Sequence, residues 1–218
     1  MKLRMTAVQP NTDEFINYIM NKYHFEKKDM SDLVTVYDEL VKNATPYAIY
    51  KINQWITGVK QIDDNQAALV VITLGKGVDV LQNTYTDDGK LQEAYMVECI
   101  ANELLLRMYD EFNKAYSRLH RRYVAGYIFV GDEIPLSRMR ELLVKVQERD
   151  LENYEIKSNE YGVITPKKTV VFYAMLSDNP TKACERICDK CTNLDCGYRT
   201  RSDNSKLNYG YQRIFGNS

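Results

Sequence analysis

Ala67-Ala-Leu-Val-Val-Ile-Thr-Leu74 is the stretch that decides the fold. It is a continuous apolar run, broken only by Thr73, and it stops at Gly75. Consecutive aliphatic and β-branched residues load both faces of a pleated strand, so the run reads as a buried central strand. Its C-terminal extension, Val70-Val-Ile-Thr-Leu-Gly-Lys-Gly-Val-Asp-Val80, has the look of a strand entering a phosphate loop. It fails the chemical test. A dinucleotide fingerprint needs a third glycine where Val80 stands, and a Walker loop needs Gly-Lys followed by Ser or Thr. Gly75 and Gly77 are therefore expected only to turn the chain at the strand end.

Further along, residues 90–119 form the longest helical candidate. Met96, Ile100, Leu104, Met108, Phe112 and Leu119 recur at helical intervals, with no Pro or Gly among them. Tyr123 to Val130 is strand-like. Pro135 suits the first turn of a helix running to about Arg149, with Met139, Leu142, Leu143 and Val146 inward. Tyr154–Ser158 and Thr169–Leu176 read as strands. In the other direction, Tyr47–Ile52 reads as a strand after Pro46. Two amphipathic helices precede it. One is capped by Asn11 or Thr12 and carries Phe15, Ile16, Ile19, Met20 and Tyr23. The other is capped by Ser31 and carries Leu33, Val34, Tyr37, Leu40 and Val41. Residues 1–10 alternate like a short strand ending at Pro10. Strands gathered late, with helices of unequal length, predict an α+β fold rather than a regular βα alternation.

The chain has 218 residues, of which 44% are hydrophobic and 27% charged. That supports a folded core, read as one domain over 1–180 with a Cys-rich segment and tail over 181–218. Lys plus Arg number 29 against 30 Asp plus Glu, a net charge of −1, which argues against a nucleic-acid binder. No run approaches the length of a membrane span, and no apolar segment follows Met1-Lys-Leu-Arg-Met-Thr6 as a secretory signal requires. The expectation is a soluble cytoplasmic protein. The two histidines, His24 and His120, have no Ser or Cys partner in a nucleophile motif, so hydrolytic triad chemistry is a poor fit. The basic cluster Arg118-Leu-His-Arg-Arg122 suits phosphate, but cations at the negative end of a helix are the simpler reading.

Five cysteines break the uniformity. Cys99 stands alone, whereas Cys184, Cys188, Cys191 and Cys196 follow one another at C-x3-C-x2-C-x4-C spacing. Disulfides tie distant segments together, and crowded thiols in an intracellular chain point instead to metal ligands. Four thiolates in a small volume repel one another unless a cation offsets them. An iron–sulfur cluster meets that need, and so does a zinc ion. The simpler alternatives are a reduced loop without metal, or a zinc that only staples the tail. The first three cysteines also match the radical S-adenosylmethionine triplet, but they lie near the C-terminus with no β/α barrel behind them.

Several separated segments point one way. Ile72-Thr-Leu-Gly75 leads past Gly77-Val-Asp79 toward the long helix. Arg122-Tyr-Val-Ala-Gly-Tyr127 is followed by Gly131-Asp-Glu-Ile-Pro-Leu136. Thr165-Pro-Lys-Lys-Thr-Val170 precedes a strand, and Cys188-x2-Cys191-x4-Cys196-Gly-Tyr-Arg199 closes the set. In this order they resemble the stand-alone relatives, in anaerobic bacteria, of the cobalamin-dependent methionine synthase activation domain. The resemblance covers residues 65 to 199. It implies a curved, twisted antiparallel sheet flanked by helices, and a shallow groove for S-adenosylmethionine. It also implies docking on the cobalamin domain of a methyltransferase, where cob(II)alamin is reduced and then methylated. By position, Arg122 would meet the ligand carboxylate, Gly126 would let backbone approach the ligand, and Tyr127 would contact the ligand or the corrin. A helical Glu of the family falls at Leu106, where an apolar side chain cannot offset the ligand's cationic end.

The leading expectation is therefore an accessory protein for reductive reactivation of a corrinoid methyltransferase, with methionine synthase as the partner. It would carry a cluster on Cys184, Cys188, Cys191 and Cys196, and meet cobalamin only through that partner. The alternative is a non-catalytic docking module with structural zinc. A weaker third option is an oxygen or iron sensor. No nucleic acid and no membrane enter any of these readings.

Overall fold

The computed structural model describes residues 2–4, 12–52, 67–153, 155–184 and 187. In chain order the elements are β1 (Lys2–Arg4), α1 (Thr12–Tyr23), α2 (Met30–Asn43), β2 (Tyr47–Ile52), β3 (Ala67–Thr73), α3 (Lys76–Asp87) and α4 (Leu91–His120). They continue with β4 (Tyr123–Phe129), α5 (Met139–Asn153), β5 (Lys157–Ser158), β6 (Ile164–Thr165) and β7 (Thr169–Ser177). The expected α+β class is what the chain adopts. β1, β2, β3, β7 and β4 form one sheet in that order, antiparallel at every step, and β5 and β6 form a small separate ladder.

β3 is buried at every position because the sheet is covered on both faces. Ala68, Val70 and Ile72 face one core with Tyr50, Phe172 and Leu176, closed by residues of α1, α2, α3 and α4. Ala67, Leu69 and Val71 face a second core with Ile49, Val171 and Tyr173, closed by Met139, Leu142, Leu143 and Val146 of α5. An antiparallel sheet often leaves one face wet and then alternates apolar with polar residues. Two covers remove the alternation, which is why the run from 67 to 74 is continuous.

Several boundaries differ from expectation. The second helix begins at Met30, not beyond Ser31. A 3-10 turn at Lys27–Asp29 precedes it, and Asp29 Oδ2 accepts from the Glu26 backbone N–H at 2.8 Å. The glycines after β3 also do more than turn the chain. Gly75 does so, at φ +84°, a conformation that side chains with a Cβ rarely adopt. Gly77, however, lies in the first turn of a helix, α3, which was not expected. A Cβ there would run into the Asn43 carbonyl at the end of α2, so glycine permits that close approach. The helix after Pro135 opens as a 3-10 turn at Leu136–Arg138 before α5. Of the expected 154–158 strand, Tyr154 lies outside the described residues, and among the rest Lys157–Ser158 are paired. No helix among the described residues is long and apolar enough to cross a membrane.

Candidate functional site

The site is built on β4, the sheet's last strand, and on the chain that returns to it after β7. α4 ends at His120, with Arg118 and His120 in its last turn, and Arg121 takes the left-handed conformation at φ 54°. That abrupt stop delivers Arg122 to the start of β4. Its Nε donates to Asp178 Oδ1 at 2.7 Å. The guanidinium side chain is 22% exposed and the Asp178 side chain 76%, so the pair sits at the water boundary. The basic cluster thus serves as a helix end.

β4 carries a bulge. Val124 pairs with Leu176 and Gly126 pairs with Met175, leaving Ala125 as the extra residue. The bulge puts Val124 and Tyr127, three positions apart, on the same face of the sheet, where both join the helical core. Gly126 points the other way, and a Cβ on it would meet the methyl end of Met175. That side of the strand is filled by methionine.

Tyr127 is 3% exposed. Its ring meets Phe172 at 5.5 Å and Tyr109 at 5.8 Å edge-on, and stacks beside Phe129 at 5.9 Å. Its hydroxyl accepts from Asn113 Nδ2 at 2.5 Å. Burial pushes its ionisation far above the ordinary tyrosine range, and the neighbouring Cys184 and Asp110 add to that against the opposing bond from Asn113. Tyr127 is therefore a neutral core residue with its polar tip engaged.

Cys184 closes this constellation. Its backbone N–H donates to the Val124 carbonyl at 2.7 Å, covering the open edge of β4 beside the bulge. Its carbonyl accepts from Asn113 Nδ2 at 3.4 Å. The side chain is 5% exposed and packs in the same core as Tyr127. Of the residues singled out from sequence, the structure thus gathers Arg122, Gly126, Tyr127 and Cys184 around one strand. Cys188, Cys191 and Cys196 lie outside the described residues. Among the described residues, no group of three or more His, Cys, Asp or Glu is placed to hold a metal ion. Thiolate donors suit iron–sulfur or zinc, but the first of them is lodged in a packed apolar core.

The residue that sequence reasoning missed is Asn113, 9% exposed, which holds both Tyr127 and Cys184. Its one signal was an amide directly after Phe112, on the apolar stripe of the long helix. Two buried polar clusters on α4 were missed for the same reason. Glu103 is fully buried and accepts from Tyr18 at 2.9 Å, Tyr23 at 2.8 Å and Lys22 at 2.6 Å. Lys168 Nζ, 10% exposed, contacts Glu98 and donates to Asn102 at 2.6 Å. His120 Nε2 lies 2.8 Å from the buried Tyr50 hydroxyl, and the two rings meet edge-on at 5.7 Å. Burial pushes the Cys99 thiol up to about 11, which makes it inert at neutral pH. Leu106 is half-buried on α4, one turn before Asp110.

No family model matches the sequence, and no curated protein matches it.

Proposed function

We propose that the chain is an accessory protein for the reductive reactivation of a cobalamin-dependent methyltransferase, with methionine synthase as partner. The observation that carries this reading is the docking of Cys184 on β4. Cys184, the first cysteine of the segment, is tied at its backbone to the strand that bears Arg122, Gly126 and Tyr127. A second convergence supports it. Asp79 accepts from the Lys167 backbone N–H at 2.9 Å, Leu74 N–H donates to the Lys168 carbonyl at 3.0 Å, and Thr73 and Thr169 hydroxyls meet at 2.8 Å. The segments 72–79 and 165–170 therefore also meet, though widely separated in sequence.

The chain's own residues divide the work. Arg122 supplies a planar fork for a carboxylate. One of its partners is the exposed Asp178, and exposed pairs contribute only about 0–1 kcal/mol. An incoming carboxylate, that of S-adenosylmethionine in this reading, competes with Asp178 for the fork. Tyr127 and Asn113 hold the root of the tail, and Met175 fills the space beside Gly126. A cluster held by the tail cysteines would supply single electrons, at potentials that reach about −700 mV in the most reducing clusters. Calorimetry of the full chain with S-adenosylmethionine tests the groove. Binding that weakens at least tenfold in Arg122→Ala supports it. Equal binding by the two proteins, or none by either, removes the ligand from the proposal and leaves docking alone.

A further inference from the structure

We propose that the chain associates with a second copy of itself, the acidic and apolar platform at one end of β4 on one copy meeting the basic end of α4 on the other. This goes beyond the methyltransferase reading and does not depend on it.

The platform is built where β4 ends. The turn that follows carries Asp132 and Glu133, and a Cβ on Gly131 would lie 3.2 Å from the Leu136 side chain. The tip between β5 and β6 rests on the same residue, since a Cβ on Gly162 would run into the Leu136 carbonyl. The tip is braced. Asn159 Oδ1 accepts from the Tyr161 N–H at 3.0 Å and the Val163 N–H at 2.9 Å, and the Asn159 N–H donates to the Val163 carbonyl at 3.0 Å. It holds Tyr161 73% exposed and Val163 59% exposed, beside Leu136 at 46%. Single exposed apolar residues are ordinary, but three on one braced tip, with a tyrosine among them, form a contact patch. Its rim is acidic, with Asp132, Glu133 and Glu160 all exposed. Burial and then the Asp132 charge push the Glu133 carboxyl above the ordinary carboxylate range, so this corner favours an incoming cation. Arg138, the nearest cation in sequence to Leu136, is engaged by Glu141 at 3.0 Å.

The chain itself supplies the matching surface. At the opposite end of β4, α4 stops with Arg118 and Arg121 exposed and Leu119, 55% exposed, between them. Arg122 is not needed for it and is turned to Asp178. β4 has seven residues, so at about 3.3 Å each the two surfaces lie roughly 20 Å apart. Two copies laid antiparallel along β4 make the contact twice and close as a dimer. A net charge of −1 leaves little general repulsion between copies.

The test is the mass of the full chain in solution, measured by sedimentation with reductant present so that no disulfide joins the copies. Concentrations run up to about 1 mM, the range in which small contacts are populated. Wild type is expected to pass from monomer to dimer as concentration rises. It is expected to return toward monomer as salt rises from about 0.05 M to about 1 M, where the screening length falls to about 3 Å. Tyr161→Ser is expected to weaken association at least tenfold. Arg118→Glu with Arg121→Glu abolishes it, and so does Glu133→Lys with Glu160→Lys. An equal mixture of these two double variants is expected to restore it, because each reversed end then faces an opposite charge on the other copy. All of these side chains are exposed, so unfolding midpoints equal to wild type keep the readout one of association. A wild type that stays monomeric throughout overturns the proposal. A dimer that survives either double variant, or a mixture that stays monomeric, overturns it as well. None of these results bears on the methyltransferase reading.

Discussion

Asn113 is the residue on which the candidate site turns. One side-chain amide bonds the hydroxyl of Tyr127 and the carbonyl of Cys184. A buried donor left without its acceptor costs on the order of 1–3 kcal/mol. Tyr127→Phe removes the hydroxyl and keeps the ring. It is expected to lower stability by about 1 kcal/mol, a shift of roughly 2–4 °C in the unfolding midpoint for a chain of this size. Unchanged stability with weakened S-adenosylmethionine binding would instead place Tyr127 at the ligand. A second residue-scale prediction concerns Glu98. Burial pushes its carboxyl up, but bonds from Lys168, Gln82 and Asn102 outweigh that and hold it below the ordinary carboxylate range. A group lowered on folding contributes stability that is present above its unfolded pKa, about 4.3, and lost as pH falls through its folded value. Wild type should therefore exceed Lys168→Met in stability at neutral pH, and the gap should close in acid. Urea unfolding at several pH values reads this directly. A gap that is constant with pH would assign the effect of Lys168 to packing.

At the scale of elements, β3 is the member with most to lose. Ile72 and Leu69 are both fully buried, on opposite faces. Each change to Ala should cost about 2–5 kcal/mol in denaturant unfolding. A cost confined to Ile72→Ala would mean that α5 does not cover the second face. Much of this architecture was legible beforehand. β2, β3, β4 and β7 were readable because their apolar runs are short and bounded by turn residues. α4 was readable because its stripe is long and free of breakers. α3 was not. Gly75 and Gly77 are loop signals, and Val78, Leu81 and Tyr85 mark only a thin apolar face on a polar helix. The 3-10 turn before α2 was hidden because Asp29 and Ser31 are both good caps, and only the bond to Glu26 separates them. The bulge at Ala125 was hidden too, since a two-residue alternation carried through 123–130 puts Val124 and Tyr127 on opposite faces. At the site, the pattern marked Arg122, Gly126, Tyr127 and the cysteines by type and spacing. It held nothing on burial, and so gave no sign that Tyr127 and Cys184 share one packed core.

For the whole molecule, the division of labour follows from the two covers. α1 to α4 seal one face of the sheet and α5 covers the other, and β4 forms one edge, covered beside its bulge by the returning chain at Cys184. Arg122 stands at the start of that edge, with Cys184 tied beside it at Val124. In the proposed account, the later cysteines would serve a partner from a segment tied to the fold at Cys184. Protein purified without oxygen, analysed for iron and sulfide and then added to a methyltransferase trapped as cob(II)alamin, puts this account to its most direct test. The account predicts iron with matching sulfide, visible absorbance that bleaches on reduction, and methyltransferase activity restored faster than with the variant carrying Ser at 188, 191 and 196. A colourless zinc protein that restores activity no better than that variant would contradict it.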